Sequence, residues 1–274
     1  MIEQINSLLA TNHPHNSLGN ISTNNIELAI QLARSQNMQE ECYYLLRFGD
    51  MLEYLRSFEH IDIRRFVFYP GEKSEIQTVE THIGKTLKPA VRNFYEQCNG
   101  IYLYWIDKRS EVYEQQKNSL WPYYGAVGCI NINGIYNIYL EDSLKVFAYS
   151  QELMGKELDY EEAKANYHSF DHFSDFNEVQ AYTGEGFEDD PLLILGNDSQ
   201  TCYTNARWTD IPSYLELVFH CCGLAISRPH LLNTSNGHQL PKLSLDKAFF
   251  EQYPLPDFNQ YPPELFYPKT DYWN

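Results

Sequence analysis

The sequence predicts an α+β fold: an antiparallel β-sheet bordered by helices. Apolar residues recur at helical spacing before Ile61 and again from Ile76 to Cys98. Short apolar runs of strand length begin at Ile61, Ile101 and Pro191. Asn133-Gly134, a favoured two-residue hairpin turn, separates GAVGCINI from IYNIYL, which predicts a β-hairpin there.

The elements follow in order. Ser22 to Asn25 offers caps ahead of Ile26, Ala29, Ile30 and Ala33, and a second apolar stripe runs through Cys42, Leu45, Phe48, Leu52 and Leu55. Residues 1–60 are therefore expected to be a helical addition before the main domain. His13-Pro14-His15 falls in a polar loop, where histidines are more often solvated than metal-bound. At Ile61 the period changes, and RRFVFYP reads as a strand closed by a Pro70-Gly71 turn.

A two-helix unit follows. Ser74 and Gln77 stand at capping-box spacing, placing a helix start near Glu75, with Ile76, Val79 and Ile83 on one stripe and Gly84 as its end. Pro89 suits the first turn of a second helix because its missing N–H would have no intrahelical partner there, and it biases Lys88 toward extended backbone. Val91, Phe94, Tyr95 and Cys98 form that helix's buried stripe, and Asn99-Gly100 is expected to be its left-handed cap.

Beyond Gly100, IYLYWI is expected to be a strand and LKVFAYS a further apolar stretch. Phe170, Phe173 and Phe176 in YHSFDHFSDF are spaced as a helical stripe. PLLILG reads as a short buried strand, GNDSQ as a turn and TCYTN as the strand's partner. Asp210 caps a helix with Pro212 in its first turn, running to Cys222 and stopped by Gly223. The main domain is thus expected to span 61–232. Residues 233–274 hold six of the chain's 13 prolines and nine aromatics, a composition that predicts an extended arm packed on the domain.

The composition is that of a folded chain: 274 residues, 43% hydrophobic and 15% aromatic, with 22 tyrosines. No apolar run is long enough to span a membrane, and MIEQINSLLATN has no basic region followed by an apolar one, so a cytoplasmic location is expected. The six cysteines show no CxxC or repeated spacing and are expected to be buried free thiols.

Charge is distributed unevenly. The chain carries −17, and Glu141 to Asp190 holds 14 acids against 3 bases. Direct nucleic-acid binding is disfavoured, since neutralising phosphates needs a basic face. A basic partner is favoured.

The order Glu80, Ile83, Gly84, Leu87, Pro89, Phe94, Asn99, Gly100 resembles the signature of the SMI1/KNR4 family, also called the SUKH superfamily. One departure is that Lys88 separates Leu87 from Pro89, which are usually adjacent in that family. A weaker likeness continues through PLLILG, GNDSQ and Ser213-Tyr214-Leu215, so the resemblance covers roughly Ile61 to Leu232. It implies an SMI1/KNR4-like α+β domain. It also implies one of two roles: an immunity protein that neutralises a cognate bacterial toxin of a polymorphic or contact-dependent system, frequently a nuclease, or a regulatory scaffold binding other cellular proteins.

Candidate chemistry is sparse. His168 and His172 have the i, i+4 spacing that would align two imidazoles on a helix, with Asp171 and Asp175 nearby, but there is no HExxH glutamate and the phenylalanines favour a core. No GxSxG, Walker loop or GxGxxG occurs, and TGEGF lies among acids that would repel phosphate. No catalytic residue, metal or cofactor is expected. The candidate partner-binding residues are Glu157, Asp159, Glu161, Glu162, Glu185, Glu188, Asp189 and Asp190. Singly, each would read as a solvated surface charge; as a group they form a negative field suited to a basic protein toxin.

Overall fold

The computed structural model describes residues 2–10, 23–110, 113–117, 128–140, 152–153, 156–157, 161, 165–173, 178–184, 191–195, 207–224, 245, 247–252 and 254–260. Helices α1 (Ile2–Ala10), α2 (Thr23–Ser35) and α3 (Tyr43–Arg56) precede strand β1 (Ile61–Pro70). Helices α4 (Lys73–Ile83) and α5 (Pro89–Gln97) lead into β2 (Cys98–Asp107), then α6 (Tyr113–Gln116), β3 (Gly128–Ile132) and α7 (Ile135–Tyr139). The two-residue strands β4 (Glu152–Leu153) and β5 (Lys156–Glu157) pair with each other. Next come β6 (Tyr167–His172), β7 (Glu178–Tyr182), β8 (Leu192–Leu195), β9 (Arg207–Thr209), α8 (Ile211–His220) and α9 (Lys247–Gln252).

Among the described residues the main sheet has seven strands in the order β1-β2-β3-β6-β7-β8-β9, each antiparallel to its neighbour. The α+β architecture with an antiparallel sheet bordered by helices is as expected. One face carries the main core. Phe66 and Phe68 of β1 meet Phe48 of α3, with ring centroids 6.4 and 5.8 Å apart, and Phe170 of β6 meets Tyr214 of α8 at 5.8 Å. The same apolar cluster runs from Ile5 and Leu9 in α1 to Phe249 and Phe258 near the C-terminus. On the opposite face Val67, Tyr102 and Tyr104 form a separate buried cluster, with the Arg65 guanidinium 5.0 Å from the Tyr102 ring centroid.

The two-helix unit forms, with corrected ends. The N-cap of α4 is Glu72, so Ser74 lies inside the helix and its carbonyl accepts the Thr78 hydroxyl hydrogen at 2.9 Å instead of closing a capping box. Gly84 ends α4 at φ 70°, as expected. Pro89 opens α5 behind an extended Lys88. Glu80 holds the turn between the helices: its carboxylate accepts the Leu87 amide at 3.0 Å and pairs with Arg92, which keeps the Glu80 carboxyl below its ordinary pKa.

Asn99-Gly100 does not form a left-handed cap. Cys98 is already extended at φ −146°, and the helix passes directly into β2, where Cys98 pairs with Pro70 of β1. Gly100 has another reason to be glycine. Its φ is 134°, and a Cβ there would stand 3.0 Å from the Ile132 carbonyl oxygen. The Asn99 side chain accepts the Ile135 amide hydrogen at 2.8 Å and donates to Glu75.

Two further expectations are corrected. Ile135–Tyr139 is a short helix, so Asn133-Gly134 does not turn a hairpin. Ile135, Ile138 and Tyr139 are buried at i, i+3 and i+4, a helical period that the β-branched residues obscured. Tyr167–His172 is a strand, so the phenylalanine stripe is not helical; side chains on both its faces are buried, which removes the alternation that would mark it. Leu192–Leu195 is a strand as expected, paired with Arg207–Thr209, while the proposed partner TCYTN lies outside the described residues, as do LKVFAYS and GNDSQ. Asp210 caps α8, its Oδ1 accepting the Ser213 amide at 2.8 Å, and the helix stops at His220 ahead of left-handed Cys222 and Gly223.

Candidate partner-binding surface

Of the eight acidic candidates, Glu157 is the second residue of β5, opposite Glu152, and Glu161 is exposed in a helical turn. Asp159, Glu162, Glu185, Glu188, Asp189 and Asp190 lie outside the described residues. What the fold does establish is where the described residues flanking these stretches stand. Tyr167, which opens β6, pairs with Tyr182, which closes β7, and their rings stack edge to face with centroids 5.0 Å apart. The Thr183 amide donates to the Asn166 carbonyl at 3.0 Å, extending the ladder by one step. Tyr182 pairs in turn with Leu192, next to Pro191.

Asn166, Gly184 and Pro191 therefore meet at one end of the sheet. Asn166 follows the stretch that contains Glu157 to Glu162; Gly184 and Pro191 bracket the stretch that contains Glu185 to Asp190. Chain order separates the two stretches, and the antiparallel β6–β7 pair returns their flanks to the same place. Gly184 is required where β7 ends, because a Cβ there would sit 2.3 Å from the Tyr182 hydroxyl oxygen. Thr209 lies opposite Leu193, so α8 also begins at this end, behind its Asp210 cap.

The histidine pair is divided between environments. His168 is buried opposite Ala181, and burial holds its pKa below the ordinary imidazole value. His172 is half-buried, with Nδ1 3.6 Å from a Glu178 carboxylate oxygen. Among the described residues no group of three or more His, Cys, Asp or Glu side chains is placed to hold a metal ion. Cys42, Cys98, Cys129, Cys221 and Cys222 are buried thiols outside any disulfide, and burial pushes the Cys42 pKa up to about 11 and those of Cys98 and Cys222 higher still, which suppresses the reactive thiolate. Cys202 lies outside the described residues.

Asp171 was noted in the sequence only as a neighbour of the histidines. It is a fully buried carboxylate in which Oδ1 accepts the Asn131 amide at 2.7 Å and Oδ2 accepts the Tyr214 hydroxyl hydrogen at 2.6 Å, linking β3, β6 and α8. The sequence signal was an acid set between Phe170 and Phe173, but its partners lie 40 and 43 residues away. Among the described residues no helix is long and apolar enough to cross a membrane. Comparison with family models, curated proteins and solved structures finds no match for this chain.

Proposed function

We propose that this protein is an immunity protein of the SMI1/KNR4 type, which binds a basic bacterial toxin such as a nuclease and covers its active site with an acidic surface, without chemistry of its own. The observation that carries the reading is the concentration of 14 acids against 3 bases in Glu141 to Asp190, together with the meeting of Asn166, Gly184 and Pro191 at one end of the sheet. A negative field anchored at one place attracts a basic cleft over roughly a Debye length, about 8 Å at physiological ionic strength. It can raise association rates to about 10⁸ M⁻¹s⁻¹. The Glu80 to Gly100 motif supports the family reading, and its residues serve the scaffold: Glu80 and Asn99 hold turns, and Phe94 is core.

Affinity capture from the source cells tests the proposal. The expected result is one basic toxin recovered in stoichiometric amount, whose activity the purified protein inhibits. A mixed set of cellular proteins would favour the regulatory-scaffold role instead. Recovery of a bound metal or small ligand with no protein partner would overturn both.

A further inference from the structure

At the other end of the sheet a short segment near the C-terminus is seated in a pocket of the folded body. The Phe258 ring is fully buried among three aromatic rings, with centroids 5.0 Å from Trp105, 5.3 Å from Phe58 and 6.4 Å from Tyr54. Main-chain carbonyls complete the contact. The Phe258 oxygen accepts from Arg109 Nη2 at 2.9 Å and from His60 Nε2 at 3.1 Å, and the Pro256 oxygen accepts the Tyr54 hydroxyl hydrogen at 2.7 Å.

The pocket is organised by contacts that do not involve the segment. Fully buried Asp107 grips Arg109, with Nη2 to Oδ2 at 2.6 Å and Nε to Oδ1 at 3.0 Å, so the guanidinium is aimed before anything docks. Trp105 Nε1 donates to the Cys222 carbonyl at 2.8 Å, and Tyr54 and Phe58 stack edge to face at 5.1 Å. The segment likewise carries its own conformation. Asp257 accepts the Asn259 amide at 3.0 Å and the Gln260 side-chain amide at 2.7 Å, closing a local turn. Pro254, Leu255, Asn259 and Gln260 are exposed on either side.

We propose that residues 254–260 dock as a separable peptide, and that the pocket is a receptor for a turn-forming segment of another protein carrying an aromatic residue two positions after a proline. One ring fills the aromatic cage and two carbonyls are captured whatever side chains flank them, so recognition reads the backbone and a single aromatic. The chain's own segment fills this pocket in cis. Helix α9, just before the segment, is itself packed on the body, with Phe249 buried and the Phe250 ring 4.7 Å from His220, so the segment competes from within the same molecule and a free peptide is a weak competitor against the intact chain.

The test titrates a fluorescent synthetic peptide of residues 253–260 against the full-length wild type and the full-length Phe258→Ala chain, with folding of each checked by circular dichroism. Binding at least about tenfold tighter to Phe258→Ala than to wild type is expected, since the cis competitor has lost its ring. The same peptide with alanine at the phenylalanine position should not bind. Equal binding to both chains, or none to a folded Phe258→Ala chain, overturns the proposal. The wild type gives a second measure that does not depend on the variant folding: chymotrypsin should cut after Phe258 at urea concentrations where the far-UV signal remains native. Cleavage only in step with global unfolding would make the segment an ordinary part of the core and refute the proposal.

Discussion

The Asn99 side chain accepts the Ile135 amide hydrogen at 2.8 Å, tying the first residues of β2 to the first turn of α7 across 36 positions of sequence. Its amide nitrogen donates to Glu75 of α4, so one side chain joins three elements. Asn99→Ala should cost about 1–3 kcal/mol, because the Ile135 amide is left without this acceptor. Asn99→Asp keeps the acceptor but sets a carboxylate against Glu75, so it should also destabilise at neutral pH and recover as pH falls. Urea denaturation of the three chains decides; equal midpoints would show that the contact contributes nothing.

His168 gives a pH dependence whose sign is set by burial. The folded state holds its pKa below the unfolded value of 6.5, so the stabilising neutral form is fully favoured above that value, and stability is lost as pH falls through the folded pKa. His168→Gln should therefore flatten the loss of thermal stability as pH falls below 6.5. An unchanged slope would assign the acid sensitivity to other groups.

The Tyr214 hydroxyl donates to buried Asp171 at 2.6 Å. Removing that donor in Tyr214→Phe should cost about 1.5–3 kcal/mol, the range for hydrogen bonds to charged groups. Adding Asp171→Asn should cost less than it does alone, because the two changes remove one shared interaction. A double-mutant cycle in urea measures the coupling, and additive effects would contradict it.

Under the proposed immunity role, reversing charge at Glu185, Glu188, Asp189 and Asp190 to lysine should slow association with the basic partner recovered by affinity capture and flatten its dependence on salt. Stopped-flow measurements across ionic strengths provide the check. Unchanged kinetics would place the interface elsewhere on the protein.

Much of the secondary structure was legible because its causes are local. Gly84, Pro89 and Asp210 mark helix ends through their own conformations and hydrogen bonds, and the stripes through Ile76 and Val79 and through Val91, Phe94 and Tyr95 are buried as their spacing requires. The errors fall where a neighbouring strand took over. Asn99-Gly100 has the composition of a helix cap, yet the chain is already extended at Cys98, which pairs with Pro70 of β1. Tyr167–His172 was misread because a strand buried on both faces has no alternation. For the candidate surface, the acidic residues could be named from the sequence, but the shared position of Asn166, Gly184 and Pro191 could not.

By itself, then, the sequence determined the α+β class, the helix boundaries set by proline, glycine and aspartate, and the concentration of negative charge, all of which depend on residues within a turn or two of one another. The tertiary structure alone decided the strand order, the burial of Asp171 against β3 and α8, the docking of Phe258 on Trp105, and the meeting of the flanks of two separated acidic stretches. Those are pairings between distant residues. They are set by which surfaces the whole chain can bury together, a choice that no local pattern encodes.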